Sequence, residues 1–239
     1  MSTMRYANRS EGVALQIPVG STYLSARLNL TENPRGLVII ANGDGDHLYD
    51  ETNGYVARQV ATEGFATLVV DLLTPREAAE DAETSELRFH QSLLASRLVR
   101  VTQWMRGRPA LRDVEIGFFA SGLCAGAALA AASVLDHVRA VVCRGARVDL
   151  VVPQLHSVRA QVLLLVGERD TAHIAASRGA FWLLPDSARL EVVPNAGHLL
   201  DDPIALDRVA DEAERWFGET LDTCPAAVEA IDGMLAGVP

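Results

Sequence analysis

Basic charge is in short supply. The 239 residues hold 21 Lys and Arg against 31 Asp and Glu, a formal charge of −10. Acidity on that scale favours solubility and argues against nucleic acid or an anionic membrane as partner. Cysteine is scarce too. Cys124, Cys143 and Cys224 are the three in the chain, too widely spaced for a disulfide framework or a C-x-x-C metal pair. A reducing cytoplasm suits them. No apolar run approaches the ~20 residues of a spanning helix. The opening MSTMRYANRS lacks an apolar h-region, so no secretory signal is expected. Linkers, internal repeats and low-complexity tracts are also missing, which suits one domain over 1–239, with its core at about 11–220 and a tail at 223–239.

What is present alternates strand and helix from residue 37 onward, the pattern of a mostly parallel sheet covered by helices on both faces. Val13 to Val19 and Tyr23 to Leu30 read as an opening antiparallel pair turned at Gly20-Ser21. LVIIAN after Gly36 is an unbroken apolar run, as expected of a strand buried on both faces. Phe65-ATLVVDLL is a second such strand, reached through a short helical stripe at Tyr55, Val56 and Val60 that stops at Gly64. Pro75 to Thr84 is polar and acidic and is expected to run over the surface as the only cap candidate. Leu87, Leu94, Leu98, Val101 and Met105 line one face of a helix, with Thr84 or Ser85 offered as its N-cap. Further strands are expected at Val138 to Cys143, Gln161 to Val166 and Leu190 to Val193. The last long helix takes Asp202 as N-cap and Pro203 as its first residue.

Chemistry gathers where strands end, the edge at which such sheets bind ligands. Val114 to Ala132, VEIGFFASGLCAGAALAAA, is an apolar strand, a glycine turn and a run of small residues. Within it, Gly122-Leu123-Cys124-Ala125-Gly126 spells G-x-C-x-G, a nucleophile elbow with cysteine as the attacking group. Asp170 follows the strand ending at Val166, after Gly167-Glu168-Arg169, and His198 follows the one ending at Val193. An imidazole there would move the proton of the nucleophile, and a carboxylate would fix its tautomer and stabilise the imidazolium. A thiol beside a histidine at a helix N-terminus gains thiolate character. The oxyanion hole would use the N–H of Ala125 and the Asn42-Gly43-Asp44 loop. Asp44 is also a candidate general acid or base; Asp46 and Asp50 read as solvated loop residues. His90, His137, His156 and His173 have no partner pattern and read as surface or helix residues. Trp104, Trp182 and Trp216 are expected in core packing, as is Cys143.

Over residues 11 to 220 the chain resembles the dienelactone-hydrolase-like branch of the α/β-hydrolase superfamily. The resemblance rests on GLVIIANGDG, GFATLVVDLLT, VEIGFFASGLCAG, VRAVVCRGARVDL, QVLLLVGERD and VPNAGHLLDDP. It implies an α/β-hydrolase fold with eight or nearly eight mostly parallel strands and a minimal cap. It also implies a small-molecule ester, lactone or thioester substrate, and no metal or organic cofactor. Asn42-Gly43 stands where relatives carry His-Gly. Two elbow registers are open: aligned without gaps from Gly117, the attacking position falls on Gly122, and a shift of two residues brings it to Cys124. The second gives a Cys124-His198-Asp170 triad. The first leaves either an acid/base enzyme of another class (lyase, dehydratase, isomerase or cyclase) using His198 with Asp170 or Asp44, or a non-catalytic relative. Self-association is compatible with the sequence.

Overall fold

Period-two alternation sorts the strand residues onto two faces, and the core divides accordingly. In β3 (Leu37–Asn42), Leu37, Ile39 and Ala41 belong to one apolar cluster while Val38 and Ile40 belong to the other, and the whole strand is buried. The computed structural model describes residues 12–31, 33–43 and 51–221. Asp44, Asp46, Asp50, Cys224 and the expected tail lie outside these.

Eight strands form one sheet in the order β1-β2-β4-β3-β5-β6-β7-β8. They are β1 (Val13–Val19), β2 (Thr22–Asn29), β3, β4 (Ala66–Asp71), β5 (Ile116–Ser121), β6 (Val138–Arg144), β7 (Gln161–Gly167) and β8 (Arg189–Val193). β1 and β2 pair antiparallel, as does β2 with β4; every later pairing is parallel. This is the α/β-hydrolase fold that the sequence implied. The helices are α1 (Glu51–Thr62), α2 (Pro75–Thr84), α3 (Gln91–Arg106), α4 (Gly122–Ala132), α5 (Val152–Leu155), α6 (Thr171–Phe181) and α7 (Pro203–Thr220). α3 and α4 pack on one face, α1 and α7 on the other.

The acidic stretch at 75–84 is a helix. Thr74 caps it: its Oγ1 accepts from the Glu77 amide while the Glu77 carboxylate accepts from the Thr74 amide, the reciprocal bonding of a capping box. Arg97 on α3, itself buried, clamps that carboxylate through two hydrogen bonds of 2.7 and 2.6 Å and also donates to Leu72 O. The pattern is polar because α2 has little apolar surface to bury: Asp81 is its one buried residue. α3 begins at Gln91, not near Ser85, with His90 as its N-cap through Nδ1. The Asp202-Pro203 start of α7 is as expected, the Asp202 carboxylate accepting from the Ala205 amide. Trp216 is buried, whereas Trp182, expected in the core, is 84 % exposed at the end of α6. No helix among the described residues is long and apolar enough to cross a membrane.

Candidate active site

Three adjacent parallel strands end level with one another. Ala41 of β3 pairs with Ala120 of β5, and Ser121 of β5 with Arg144 of β6. Gly43, Gly122 and Gly145 therefore lie side by side at the carboxyl edge, about one strand spacing (~4.8 Å) apart. Behind them a polar network ties the edge together. Asn53 at the start of α1 donates to Asn42 Oδ1 at 2.6 Å, and Asn42 donates to Asp71 Oδ1 at 3.3 Å.

The turn from β5 into α4 decides the elbow register. Ser121 is still extended (φ −120°, ψ 153°), and Gly122 then takes φ +54°. That left-handed step is the bend an elbow requires, so Gly122 stands at its apex. Among the described residues, a Cβ built on Gly122 would meet nothing within 4 Å. Cys124 lies two residues further on, in the first turn of α4, and is 4 % exposed. Its sulfur faces Gly43, where a Cβ would overlap Sγ. Small residues on β3 and α4 thus let helix and strand approach, and the cysteine fills the space between them. The apex position expected for Cys124 is taken by Gly122.

The register also moves the candidate oxyanion donors. The first N–H groups of a helix have no intrahelical acceptor, and those nearest the apex belong to Gly122 and Leu123. Ala125, expected as a donor, is the fourth residue of α4, where the helix uses its own N–H, and its side chain is fully buried. The donor following the apex is Leu123. Gly43 remains at the neighbouring strand end.

Asp170 and His198 do meet. Asp170 Oδ2 lies 2.7 Å from His198 Nδ1. The ring rests over Gly145, where a Cβ would be 3.6 Å from Cε1 and 3.7 Å from Nδ1. With Nδ1 donating to the carboxylate, Nε2 is left as the proton-accepting nitrogen. The imidazole is 41 % exposed and Asp170 11 %.

The carboxylate also holds a third group that the sequence reading missed. His173 Nδ1 lies 2.9 Å from Asp170 Oδ1 and 2.8 Å from Oδ2, and its amide donates to Oδ1. The two imidazoles stack, with centroids 4.2 Å apart and planes at 28°. Burial works to raise the Asp170 pKa. Hydrogen bonds from the His173 ring and amide and from His198 outweigh it and hold the carboxyl below its ordinary value. A sequence signal did exist. Asp170 caps α6, and the residue three positions after a cap folds back towards it, as Glu does in a capping box. In Asp170-x-x-His173 that residue is an imidazole.

Arg147 follows β6 and donates its amide to Gly122 O at 3.2 Å. Its guanidinium is closed on Asp149 by hydrogen bonds of 2.9 and 2.8 Å. Cys143 is fully buried in β6, and burial pushes its thiol pKa far up, consistent with a core role. Asp170, His173 and His198 are the described residues whose ligand atoms, within 4.8 Å of one another, could hold a metal ion.

Residues 24–222 match the model of the dienelactone hydrolase family. The chain belongs to the dienelactone hydrolase family. A dienelactone hydrolase from Anabaena variabilis is 40 % identical and superposes with a TM-score of 0.84, covering 87 % of this chain and 97 % of that one. Two Mycobacterium tuberculosis proteins, each named "Putative phosphoribosyl transferase", are 41 % identical over 208 residues. Those residues are 87 % of this chain and 46 % of theirs, so this chain spans about half the length of the curated relatives it matches. Est1E from Butyrivibrio proteoclasticus, 16 % identical with a TM-score of 0.71 over 86 % of this chain and 98 % of its own, shares the family's fold.

Proposed function

We propose that this member of the dienelactone hydrolase family acts on a small ester, lactone or thioester by acid–base catalysis at His198, without an acyl-enzyme on Cys124. The observation that carries the reading is the apex. Gly122 occupies the left-handed turn with no described residue within 4 Å of where its Cβ would stand, while the Asp170–His198 pair is intact. His198 Nε2 takes a proton from water as the water oxygen attacks the carbonyl carbon, and Asp170 stabilises the imidazolium that forms. The N–H groups of Leu123 and Gly43 receive the negative charge developing on the carbonyl oxygen. The imidazolium then returns its proton to the departing alkoxide or thiolate. A substrate whose own C–H or O–H proton lies over Gly122 would lose it to the same nitrogen, giving elimination or isomerisation.

Transfer of a phosphoribosyl group, the activity in the name of the half-matched relatives, would need cationic contacts to a pyrophosphate. Arg147, beside the elbow, is already closed on Asp149, which favours the acyl reading. The acidic composition and the cysteine pattern support a cytoplasmic location.

The test is a pair of variants assayed on activated esters and small lactones. His198→Ala is expected to lose about 10²-fold or more of kcat, whereas Cys124→Ala keeps kcat within about threefold and stays indifferent to iodoacetamide. Loss of turnover in Cys124→Ala, with stoichiometric alkylation of that thiol abolishing the wild-type rate, would restore the covalent mechanism and remove this one.

A further inference from the structure

His173 has no part in the proton transfer described above, yet it is aimed at the same carboxylate. We propose that Asp170, His173 and His198 bind one divalent transition-metal ion of the zinc class, and that binding switches the site off. The switching half rests on the acid–base reading of His198; the binding half does not.

The donor set points to the ion. Two imidazoles and one carboxylate suit zinc and its neighbours, whereas calcium and magnesium take oxygen ligands almost throughout. The geometry is close to what zinc needs. With metal–ligand bonds of about 2.0–2.2 Å, tetrahedral ligand atoms stand about 3.3 Å apart. The Asp170 oxygen now lies 2.7 Å from His198 Nδ1 and 2.8 Å from His173 Nδ1, so opening the cluster by about half an ångström admits the ion. Two imidazole centroids on one tetrahedral ion stand about 5 Å apart, so the stacked rings, now at 4.2 Å, splay by about 1 Å as the cluster opens. Asp170 is held from behind by the His173 amide, and the cluster is partly exposed at the sheet edge. Arg147, the neighbouring cation, is closed on Asp149, so the pair sets little net charge against an incoming cation. The chain's charge of −10 favours cation approach.

Inhibition follows from where the protons sit. Both imidazoles now carry hydrogen on Nδ1 to donate to Asp170. A metal ion needs the Nδ1 lone pair, so each ring gives up its Nδ1 proton to solvent and takes one on Nε2. His198 then presents N–H towards Gly122 and can no longer accept a proton there.

Zinc chloride, titrated calorimetrically into the full chain at neutral pH, is the binding probe, with cobalt absorbance as a second readout. One ion per chain is expected, bound about tenfold or more weakly in His173→Gln and in His198→Gln. His156→Gln, at an exposed histidine just after α5, should bind as wild type does. Equal affinity in His173→Gln, or no saturable binding to wild type, overturns the proposal. Turnover is read in parallel as the ratio of rates with zinc and with EDTA, each variant against itself. A ratio well below one in wild type that returns to one in His173→Gln is the expected result. Zinc that binds through these residues yet leaves turnover unchanged overturns the switch and, with it, the role of His198. Failure of zinc to bind while His198→Ala still abolishes turnover overturns the metal site alone.

Discussion

Replacing Gly122 with serine should give this protein the covalent nucleophile its fold is shaped to hold. Two costs can be worked from the structure. The described residues impose almost no steric cost, because none lies within 4 Å of a Cβ at Gly122. Conformationally, an L-residue at φ +54° costs about 1–2 kcal/mol. In a domain of this size that lowers Tm by roughly 2–8 °C, so Gly122→Ser should still fold at 25 °C. The new hydroxyl would project from the apex of the elbow, one strand over from Gly145, on which the His198 ring rests. His198 could then take its proton, completing a Ser-His-Asp arrangement. Rapid mixing with p-nitrophenyl acetate should give a burst of nitrophenol, close to one equivalent of enzyme, followed by slower turnover. The wild type should give no burst. Intact-mass measurement after a quench should find one acetyl group on the Gly122→Ser chain and none on Gly122→Ser/His198→Ala. A folded Gly122→Ser protein that shows neither burst nor acetylation would mean that the apex does not face the imidazole, and the acid–base reading would lose its geometry.

Two further outcomes test the surroundings. Gly43→Ala drives a methyl group into the Cys124 sulfur and should cost about 1–3 kcal/mol by urea unfolding. The double variant Gly43→Ala/Cys124→Gly should recover most of it, and simple additivity of the two changes would show that the sulfur does not pack there. The Glu77 carboxyl is held at about 2, chiefly by Arg97, with Thr74 assisting and burial opposing. Its folded value lies below the ordinary 4.5, so its contribution is complete above pH 4.5 and fades as pH falls towards 2. A fully buried group so shifted would contribute ~3 kcal/mol. With its side chain 26 % exposed, screening reduces this to ~1–2 kcal/mol. Glu77→Gln should therefore be less stable than wild type at pH 7, and the gap should narrow from pH 4.5 downward and close as pH falls through about 2. A gap that persists at acid pH would refute the ion pair as its origin.

By itself the sequence determined the sheet, the strand ends and the acid–histidine pair. Buried strands are unbroken apolar runs, Pro and Asp announce the start of α7, and Asp170 and His198 each follow such a run directly. Periodicity and capping are local, so they survive in one dimension. The polar helix α2 escaped because a helix held by a capping box and the Arg97 clamp needs no apolar stripe. Only the tertiary structure chose between Gly122 and Cys124. Both registers satisfy the alternation of a strand, which repeats every two residues, and the choice depends on which residue the packing of α4 against β3 forces into a left-handed turn. The Asp170-x-x-His173 spacing carries a local signal for His173, but only the fold brings a second ring, from the next strand's loop, onto the same carboxylate.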